Sequence, residues 1–369
     1  MQIVNVNDKG VEMSKGSGRD EDTKLTTYQK WLESEGIDVI RDYMVEDVRT
    51  TPLKPWPRKG GKGVHLYLKG AEDCDGAYIF EMAPNSSSTV QKHLFEEMIL
   101  ILSGEGKTEV WNKDNEKVTC KWQEGSLFAI PLNTYHQHFN LGETPCRYLA
   151  VTDAPPVIDL FHNNDFVFNN DYVFSDRFNG EADYFSGKGR LFDEKVWDTN
   201  FVPNVETFEL KEYEVRAKGG KSIKFELACN TMIAHLSEYP VGVYKKDHRH
   251  APGAHILKLS GKGYTLMWEE GNPKKRFDWK RGSVLVPGRM WFHQHFNTSD
   301  EPARYLAFRW HSKKFLPGKH FLEGEKWWLS TKLGGHQIEY EDEDPEVREM
   351  FEQELEKNGV EVKMPPVKK

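Results

Sequence analysis

The residues best suited to chemistry in this sequence are histidines with the spacing of metal ligands. His248 and His250 flank a single arginine, and His293 follows further along the chain. On a β-strand, residues i and i+2 project from the same face, so the first two histidines can point together into one interior. With His293 on a neighbouring strand, three imidazoles would converge. Such a set suits a divalent transition metal and leaves coordination positions open for a substrate or for dioxygen.

These histidines belong to one copy of an internal repeat. The string HQHFN stands at 136–140 and again at 293–297. At this offset of 157 residues, positions 93–150 align without a gap with 250–307, and 24 of the 58 aligned residues are identical. A period this long indicates two duplicated domains rather than a solenoid, whose units are about 20–50 residues long.

The first copy carries a different set of side chains at the matching positions. Gln91 replaces the first histidine of the second copy, and Glu97 stands where the second copy has Ala254. The candidate metal set of the first copy is therefore Gln91, His93, Glu97 and His136, with two imidazoles and one carboxylate as the principal ligands. The alternative is a degenerate barrel in which Glu97 and Gln91 bond to each other and the copy mainly packs against its sibling.

Four further histidines are candidates for the pockets. His138 and His295 lie two residues past the motif histidines and share their face, although a hydrogen bond to the backbone of the barrel wall is the favoured role. His255 follows Pro-Gly-Ala, where a bulge would turn it inward as a fourth ligand, and a partly exposed strand residue is the equal alternative. His235 is either a polar group of the pocket or a satisfied wall histidine. His295 and His235 are the candidates for catalytic proton movement.

The elements that must position these residues are short strands. The first copy contains MILIL, KTEVW, SLFAI and RYLAV, and the second contains ILKL, YTLMW, SVLV and RYLAF, each bounded by turn-forming residues. Many such strands predict an antiparallel sandwich or jelly roll rather than a parallel α/β sheet. Helices are expected near the ends, at 26–36 after a threonine cap and at 344–359 with proline at the first helical position.

The spacing of the histidines resembles the two motifs of the cupin superfamily. The first motif, G-x5-H-x-H-x3–4-E-x6-G, is matched in the second copy by His248, His250 and Gly261, with Ala254 at the glutamate position. The second motif, G-x5-P-x-G-x2-H-x3-N, is matched by Gly282, His293 and Asn297. The resemblance covers both copies. It implies a double-stranded β-helix whose motif residues hold Fe, Mn, Ni or Zn inside the barrel.

The sequence thus predicts an all-β fold with two double-stranded β-helix (jelly-roll, cupin) barrels from an internal duplication and short terminal helices. The predicted parts are an N-terminal arm with a short helix (1–60), an N-terminal barrel (61–155) and an aromatic connector rich in Asn and Asp (156–215). A C-terminal barrel (216–312) and an extension with a helix (313–369) follow.

The resemblance also implies a function. Two-barrel cupins of similar length include aromatic-ring-cleaving dioxygenases such as gentisate dioxygenase, and the set His248, His250 and His293 is similar to their three-histidine iron site. We therefore predict a non-haem Fe(II) dioxygenase that acts on a small aromatic or enolic acid, with Mn, Ni and Zn as alternative metals. The alternatives are a non-oxidative cupin, an isomerase or decarboxylase that needs only a Lewis acid, and a non-catalytic small-molecule-binding cupin.

Composition limits the partners. A net charge of −8 argues against a general nucleic-acid binder, because phosphate binding needs clustered basic residues. The four cysteines show no CxxC spacing and suggest buried thiols. With neither a signal peptide nor an apolar run of membrane-spanning length, we expect a cytoplasmic protein without membrane contact. Its expected partners are a small-molecule substrate, dioxygen in the oxidative interpretation, and a second copy in a homodimer.

Overall fold

The structure is a computed structural model that describes residues 3–5, 25–71, 74–113, 116–251, 253–315, 326 and 328–366, with only the backbone for 3–5. Residues 6–24 of the predicted N-terminal arm and 316–325 of the predicted C-terminal extension lie outside the described residues. No helix in the described ranges is long and apolar enough to cross a membrane.

Short strands dominate the first half of the chain. In chain order its elements are β1 (Ile3–Asn5), α1 (Thr27–Ser34), β2 (Val39–Ile40), β3 (Met44–Val45), β4 (Lys54–Trp56), β5 (Gly61–Leu66), β6 (Gly76–Met82), β7 (Glu97–Ser103), β8 (Glu105–Trp111), β9 (Val118–Gln123), β10 (Leu127–Ile130), β11 (Tyr135–Asn140) and β12 (Cys146–Thr152).

The second half begins with two short helices and continues with strands. Its elements are α2 (Ala154–Phe161), α3 (Asn164–Asn169), β13 (Gly189–Phe192), β14 (Val196–Thr199), β15 (Phe201–Val202), β16 (Lys211–Glu212), β17 (Lys221–Glu226), β18 (Met232–Tyr239), β19 (Asp247–His248), β20 (His255–Lys258), β21 (Gly263–Trp268), β22 (Lys274–Trp279), β23 (Val284–Leu285), β24 (Phe292–Asn297), β25 (Ala303–Trp310), β26 (Gln337–Ile338) and α4 (Pro345–Lys357).

Each repeat builds a jelly-roll barrel from two sheets. In the first barrel, the order β15-β10-β7-β12-β6-β5-β2, with β4 beside β5, faces the order β11-β8-β9. In the second barrel, β13-β14-β17-β18-β25-β20-β23-β3, with β16 beside β17, faces β1-β22-β21-β24-β19-β26. The predicted fold class, all-β with two barrels from a duplication, is confirmed.

The larger sheets of the two barrels pack against each other. One hydrophobic cluster contains Met98 and Leu100 of β7 together with Leu257 of β20 and Leu306 of β25. The intervening Ile99 of β7 points instead into the first barrel. Because both faces of β7 contact apolar residues, consecutive positions of the strand are all apolar, which explains the MILIL sequence. Full burial of each such side chain contributes roughly 1.5–3 kcal/mol.

The repeats also exchange their leading strands. β3, from the N-terminal arm, pairs with β23 of the second barrel, and β15, from the connector, pairs with β10 of the first barrel. The exchanged strands are related by the same offset of 157 residues. Each repeat therefore completes a sheet of the other.

An arginine of the repeated RYLA segment holds each exchanged strand in place. Arg147 donates to the backbone carbonyl groups of Val48, Arg49 and Thr51. Arg304 donates to the equivalent carbonyl groups of Val205, Glu206 and Phe208. The duplication thus preserves the attachment of the arm and of the connector as well as the barrels.

The predicted terminal helices are present, and two further helices occur in the connector. Thr26 caps α1 and its side chain accepts from the Gln29 amide, while Asp344 caps α4, which begins at Pro345. Helices α2 and α3 were not expected from the aromatic connector. The α2 sequence does carry a start signal, because proline occupies its first turn, where no amide donor is needed.

Candidate metal centres

His248, His250 and His293 come together in the second barrel. His248 lies opposite His293 in the antiparallel pairing of β19 with β24. The ring centroids are 4.2 Å apart for His248 and His293, 5.0 Å for His250 and His293, and 5.5 Å for His248 and His250. One nitrogen of each ring lies within 4.8 Å of the others. The donor set and its spacing fit a divalent metal ion.

Backbone carbonyl groups orient two of these rings. His248 Nδ1 lies 3.2 Å from the carbonyl oxygen of Lys246, and His293 Nδ1 lies 3.1 Å from that of Trp291. When Nδ1 carries the proton, each ring presents Nε2 as a ligand. Burial lowers the pKa of His248 well below its usual value and that of His293 to about 3. Both rings are therefore neutral at neutral pH, the form that binds metals.

A cavity of ≈ 300 Å³ opens onto this cluster. Its lining contains six lysine and arginine side chains, namely Lys195, Arg216, Lys224, Lys245, Arg309 and Lys313. Only two carboxylates, Asp193 and Glu194, belong to the lining of the described residues. The excess of positive charge favours an anionic ligand.

The two histidines predicted for proton movement, His295 and His235, both line this cavity. His295 Nδ1 lies 2.8 Å from Thr265 Oγ1, and His235 Nε2 lies 2.7 Å from Ser222 Oγ. Both rings thus contact side-chain hydroxyl groups, whereas a bond to the backbone was the favoured expectation for His295. In the first barrel, His138 makes the equivalent contact, with Nδ1 2.8 Å from a threonine hydroxyl.

His255, considered as a fourth ligand, does not join the cluster of the second barrel. Its neighbours in sequence, Ala254 and Ile256, line the cavity, so strand alternation turns His255 to the opposite face of β20. The ring is 1% exposed, and neither nitrogen has a hydrogen-bond partner among the described residues. His255 is therefore a buried residue of the packed layer, contrary to both sequence-based interpretations.

A second cluster lies inside the first barrel. Glu97 Oε2 is 3.4 Å from His93 Nε2 and 3.7 Å from His136 Nε2. All three atoms are buried without a hydrogen-bond partner in the part of the chain that the structure describes. The Nδ1 atoms of both rings face backbone carbonyl oxygens, at 2.8 Å for His93 and 3.3 Å for His136. Three unsatisfied donor atoms directed at one point fit a divalent cation.

Two side chains surround the carboxylate of this cluster. Tyr78 Oη donates to Glu97 Oε1, and Lys59 Nζ donates to Tyr78 Oη over 2.7 Å. Burial alone would raise the pKa of Glu97, but Lys59 and the nearby imidazoles outweigh it and hold the pKa well below its usual value. The adjacent cavity is only ≈ 10 Å³. The cluster therefore has a charged carboxylate ligand but no room for a substrate.

Gln91, the fourth residue of the predicted first-copy set, lies outside the cluster. Its Oε1 accepts from Arg58 Nη1 over 2.6 Å, and its Nε2 donates to Thr89 Oγ1 over 2.6 Å and to the Arg58 carbonyl over 3.1 Å. These bonds occupy the amide, so Gln91 is not available as a ligand. They also differ from the suggested pair between Gln91 and Glu97.

Sequence reasoning missed the buried cations of both barrels. All four are buried, namely Lys59, Arg216, Lys245 and Lys258. A single lysine usually indicates a solvated surface position, so none of them stood out. The repeat did contain one signal, because Lys258 stands at the position of Ile101 within an apolar strand.

Comparison with known sequences finds a family match within the first barrel. Residues 78–152, which include most strands of the first barrel, match the family described as Cupin domain. Auxin-binding proteins T85 and T92 of Nicotiana tabacum are 27% and 26% identical to the chain over 123 residues. The alignment spans 31% of this chain and 65% of the length of each relative, just under two thirds.

Comparison with solved structures covers both barrels. Two mutant forms of oxalate decarboxylase from Bacillus subtilis superpose with a TM-score of 0.50, at 16% and 17% sequence identity. The superpositions cover 73% and 76% of this chain and 78% and 83% of the solved chains. At this identity the likeness concerns the fold alone. Residues 78–152 are thus similar to the Cupin domain family, and the chain as a whole shares the two-barrel fold of these solved structures.

Proposed function

We propose that this two-barrel protein is a metal-dependent enzyme that converts a small organic acid in the second barrel without an external oxidant, as a decarboxylase or an isomerase does. One observation carries the proposal: three imidazoles converge on the wall of a ≈ 300 Å³ cavity whose lining contains more lysine and arginine side chains than carboxylates. The imidazoles of His248, His250 and His293 would hold the metal. The cationic side chains would hold the anionic groups of the substrate.

The chemistry follows from these two parts of the site. A divalent ion, when bound, supplies a Lewis acid that polarises a carboxylate or carbonyl oxygen. Arg216, which is 6% exposed, places a charge at the cavity wall, where low polarity strengthens its attraction for an anion. His295 and His235, which line the cavity, would move protons. The non-oxidative class is also supported by the fold shared with oxalate decarboxylase, an enzyme named for a decarboxylation.

For the first barrel, we propose a metal-binding role without catalysis. His93, Glu97 and His136 would hold the ion, and the ≈ 10 Å³ of free space beside them excludes an organic acid. An ion there would satisfy three buried donor atoms and tie β7 to β11. Its contribution would be to stability.

A dioxygenase remains the second candidate, and a specific observation favours it. Among the described residues, no carboxylate joins the second-barrel cluster, so three imidazole ligands would leave the full positive charge of an iron ion for a chelating anion and for dioxygen. Fe(II) is the expected metal for this function.

Reconstitution under defined oxygen levels tests both candidates. The protein is freed of metal, loaded anaerobically with Mn(II), Fe(II) or Zn(II), and incubated with mono-, di-, keto- and hydroxycarboxylic acids while products are followed by NMR. Metal-dependent turnover without oxygen supports the proposal. Turnover that consumes about one dioxygen per substrate supports the dioxygenase. Binding of less than about a tenth of an equivalent of every metal contradicts both.

A further inference from the structure

Tyr305 of β25 faces the cavity of the second barrel beside a buried lysine. Lys245 Nζ donates to Tyr305 Oη over 2.9 Å and to Ser237 Oγ over 2.7 Å. All three residues line the cavity. A second lysine, Lys258, approaches from behind, with Nζ 5.0 Å from the centre of the Tyr305 ring. The phenol is therefore held at the cavity wall by a cation that accepts no hydrogen bond itself.

The duplicated first barrel provides an internal comparison. Tyr148 is the counterpart of Tyr305, but the positions of Lys245 and Lys258 are held by Ser88 and Ile101. The backbone register is the same, because the amides of Ser88 and Lys245 each donate to the carbonyl two residues past the motif histidine. Tyr148 lies beside Tyr78, with ring centroids 6.1 Å apart, and has no hydrogen bond to a lysine among the described residues. Among the described residues, lysines therefore approach this repeated tyrosine in the second barrel, whereas the buried lysine of the first barrel, Lys59, donates to Tyr78 instead.

The burial of these two lysines is compensated only in part: Lys245 makes two hydrogen bonds, and Lys258 lies over the rings of Trp279 and Tyr305. Lys245 is 5% exposed and Lys258 is 1% exposed. Neither forms an ion pair with a carboxylate within the described ranges, and Lys258 Nζ has no hydrogen-bond partner there. Buried amines without a carboxylate partner are unfavourable for folding and are typical of functional sites.

We propose that Tyr305 is the catalytic acid of the second barrel and that Lys245 is its proton relay; the inference rests on the proposed function. In a decarboxylation, the bond between the substrate carbon and its carboxyl group breaks, CO₂ leaves, and the electron pair stays on the carbon. Tyr305 Oη gives its proton to that carbon and a C–H bond forms. Lys245 then gives a proton to the phenolate and recovers one from solvent, so no oxidant or reductant is needed.

The electrostatics of the pair agree with these roles. Burial alone would raise the pKa of Tyr305, but the adjacent Lys245 outweighs it, and the pKa lies below its ordinary value. Burial also lowers the pKa of Lys245, which makes its ammonium a readier donor. A phenol of lowered pKa is a stronger acid, and its anion is stabilised by the ammonium after the proton has left.

The ionisation of Tyr305 can be measured without a substrate. Ultraviolet absorbance titration of the metal-loaded protein should show one tyrosine that ionises at lower pH than the others and is missing in Tyr305→Phe. In Lys245→Met the same ionisation should move to higher pH. Tyr239→Phe is the matched control, because Tyr239 is buried with its ring centre 5.1 Å from Lys245 Nζ but does not line the cavity. An unchanged ionisation in Lys245→Met would overturn the pairing.

Turnover separates this inference from the proposed function. With an acid that the wild-type protein converts, Tyr305→Phe should lower kcat by about 100-fold or more while KM and metal content stay nearly constant. Tyr239→Phe should keep the wild-type kcat. A Tyr305→Phe variant that retains kcat overturns the inference and leaves the proposed function standing. A correctly metallated wild-type protein that converts no acid refutes the proposed function and this inference together.

Discussion

The position of Glu97 in the first barrel is occupied by Ala254 in the second. The glutamate brings a negative charge to its cluster and engages Tyr78, which fills the space beside the imidazoles. Alanine leaves that space open, and Ala254 lines the larger cavity. This one difference between the repeats, glutamate against alanine, thus accompanies the difference between a cluster with almost no free space beside it and a cluster that opens onto a cavity.

Metal content should reveal the two clusters separately. We expect about two equivalents of divalent metal in the wild-type protein and about one in either Glu97→Gln or His250→Ala, because each variant removes a ligand from one barrel. Gln91→Ala is the control and should keep both equivalents, since the Gln91 amide bonds to Arg58. Elemental analysis after reconstitution measures this. Two equivalents in Glu97→Gln would contradict the placement of the first cluster.

His255 should make the fold sensitive to acid. Burial lowers its pKa from 6.5 to about 3, so below about pH 6.5 the unfolded chain binds a proton that the folded chain does not. As the pH falls from about 6.5 to 3, this difference in proton binding lowers the free energy of unfolding by up to ~1.4 kcal/mol for each pH unit. His255→Met copies Met98, its counterpart in the first barrel. Urea unfolding from pH 7 to 5 should show a shallower loss in the variant; parallel curves would contradict this role.

The sequence predicted the histidines of the clusters better than their surroundings. His248, His250 and His293 could be grouped because strand alternation and the repeat act on residue spacing, which is visible in a sequence. The roles of Lys245 and Lys258 depend on which residues approach them across the barrel. Spacing along the chain does not contain that information. Gln91 and His255 were predicted as metal ligands and are not, for the same reason. The Gln91 amide binds Arg58, and His255 lies on the face of β20 that points away from the cavity.

At the level of elements, the exchanged strands depend on two arginines that each bind several backbone carbonyl groups. Arg147 also pairs with Glu81 through two nitrogens, at 3.0 and 2.7 Å. The fork of the guanidinium matches this geometry, and the point charge of lysine does not. Strand periodicity predicted the barrels, but such clamps join segments about a hundred residues apart and could not be predicted from local pattern.

Replacing one of these two arginines should lower the stability of the whole fold. Arg147→Lys is expected to lower the free energy of unfolding by ~2–3 kcal/mol, because carbonyl groups of the arm lose their donors. Urea unfolding monitored by tryptophan fluorescence provides the measurement. Arg190→Lys is the control, since its ion pair with Asp198 is 74% exposed on the arginine side and should change stability by less than about 0.5 kcal/mol. Equal effects in both variants would show that the clamp is unimportant.

The whole molecule is an interlocked pair of barrels. β3 and β15 cross between the repeats, and the large sheets share one apolar layer. The N-terminal arm and the connector are therefore parts of the barrels that they join. The sequence analysis assigned the arm and the connector to parts outside the barrels, because a two-residue strand is too short to show a periodic pattern.

Cutting the chain between the barrels should leave them together. A protease site inserted after residue 186, which is exposed, would give fragments 1–186 and 187–369. We expect the fragments to co-elute in gel filtration and to unfold in one transition, because each contributes a strand to the other's barrel. Elution as two separate species would contradict the interlocked arrangement.

The exchange of strands also bears on the history of the duplication. A substitution that unfolds the first barrel removes β10, the partner of β15. It also weakens the attachment of β3 to β23 of the second barrel. Selection for chemistry in one half therefore conserves the architecture of the other, even where that other half converts no molecule. The interiors of the two copies can therefore change independently, but the strands that they share must change together.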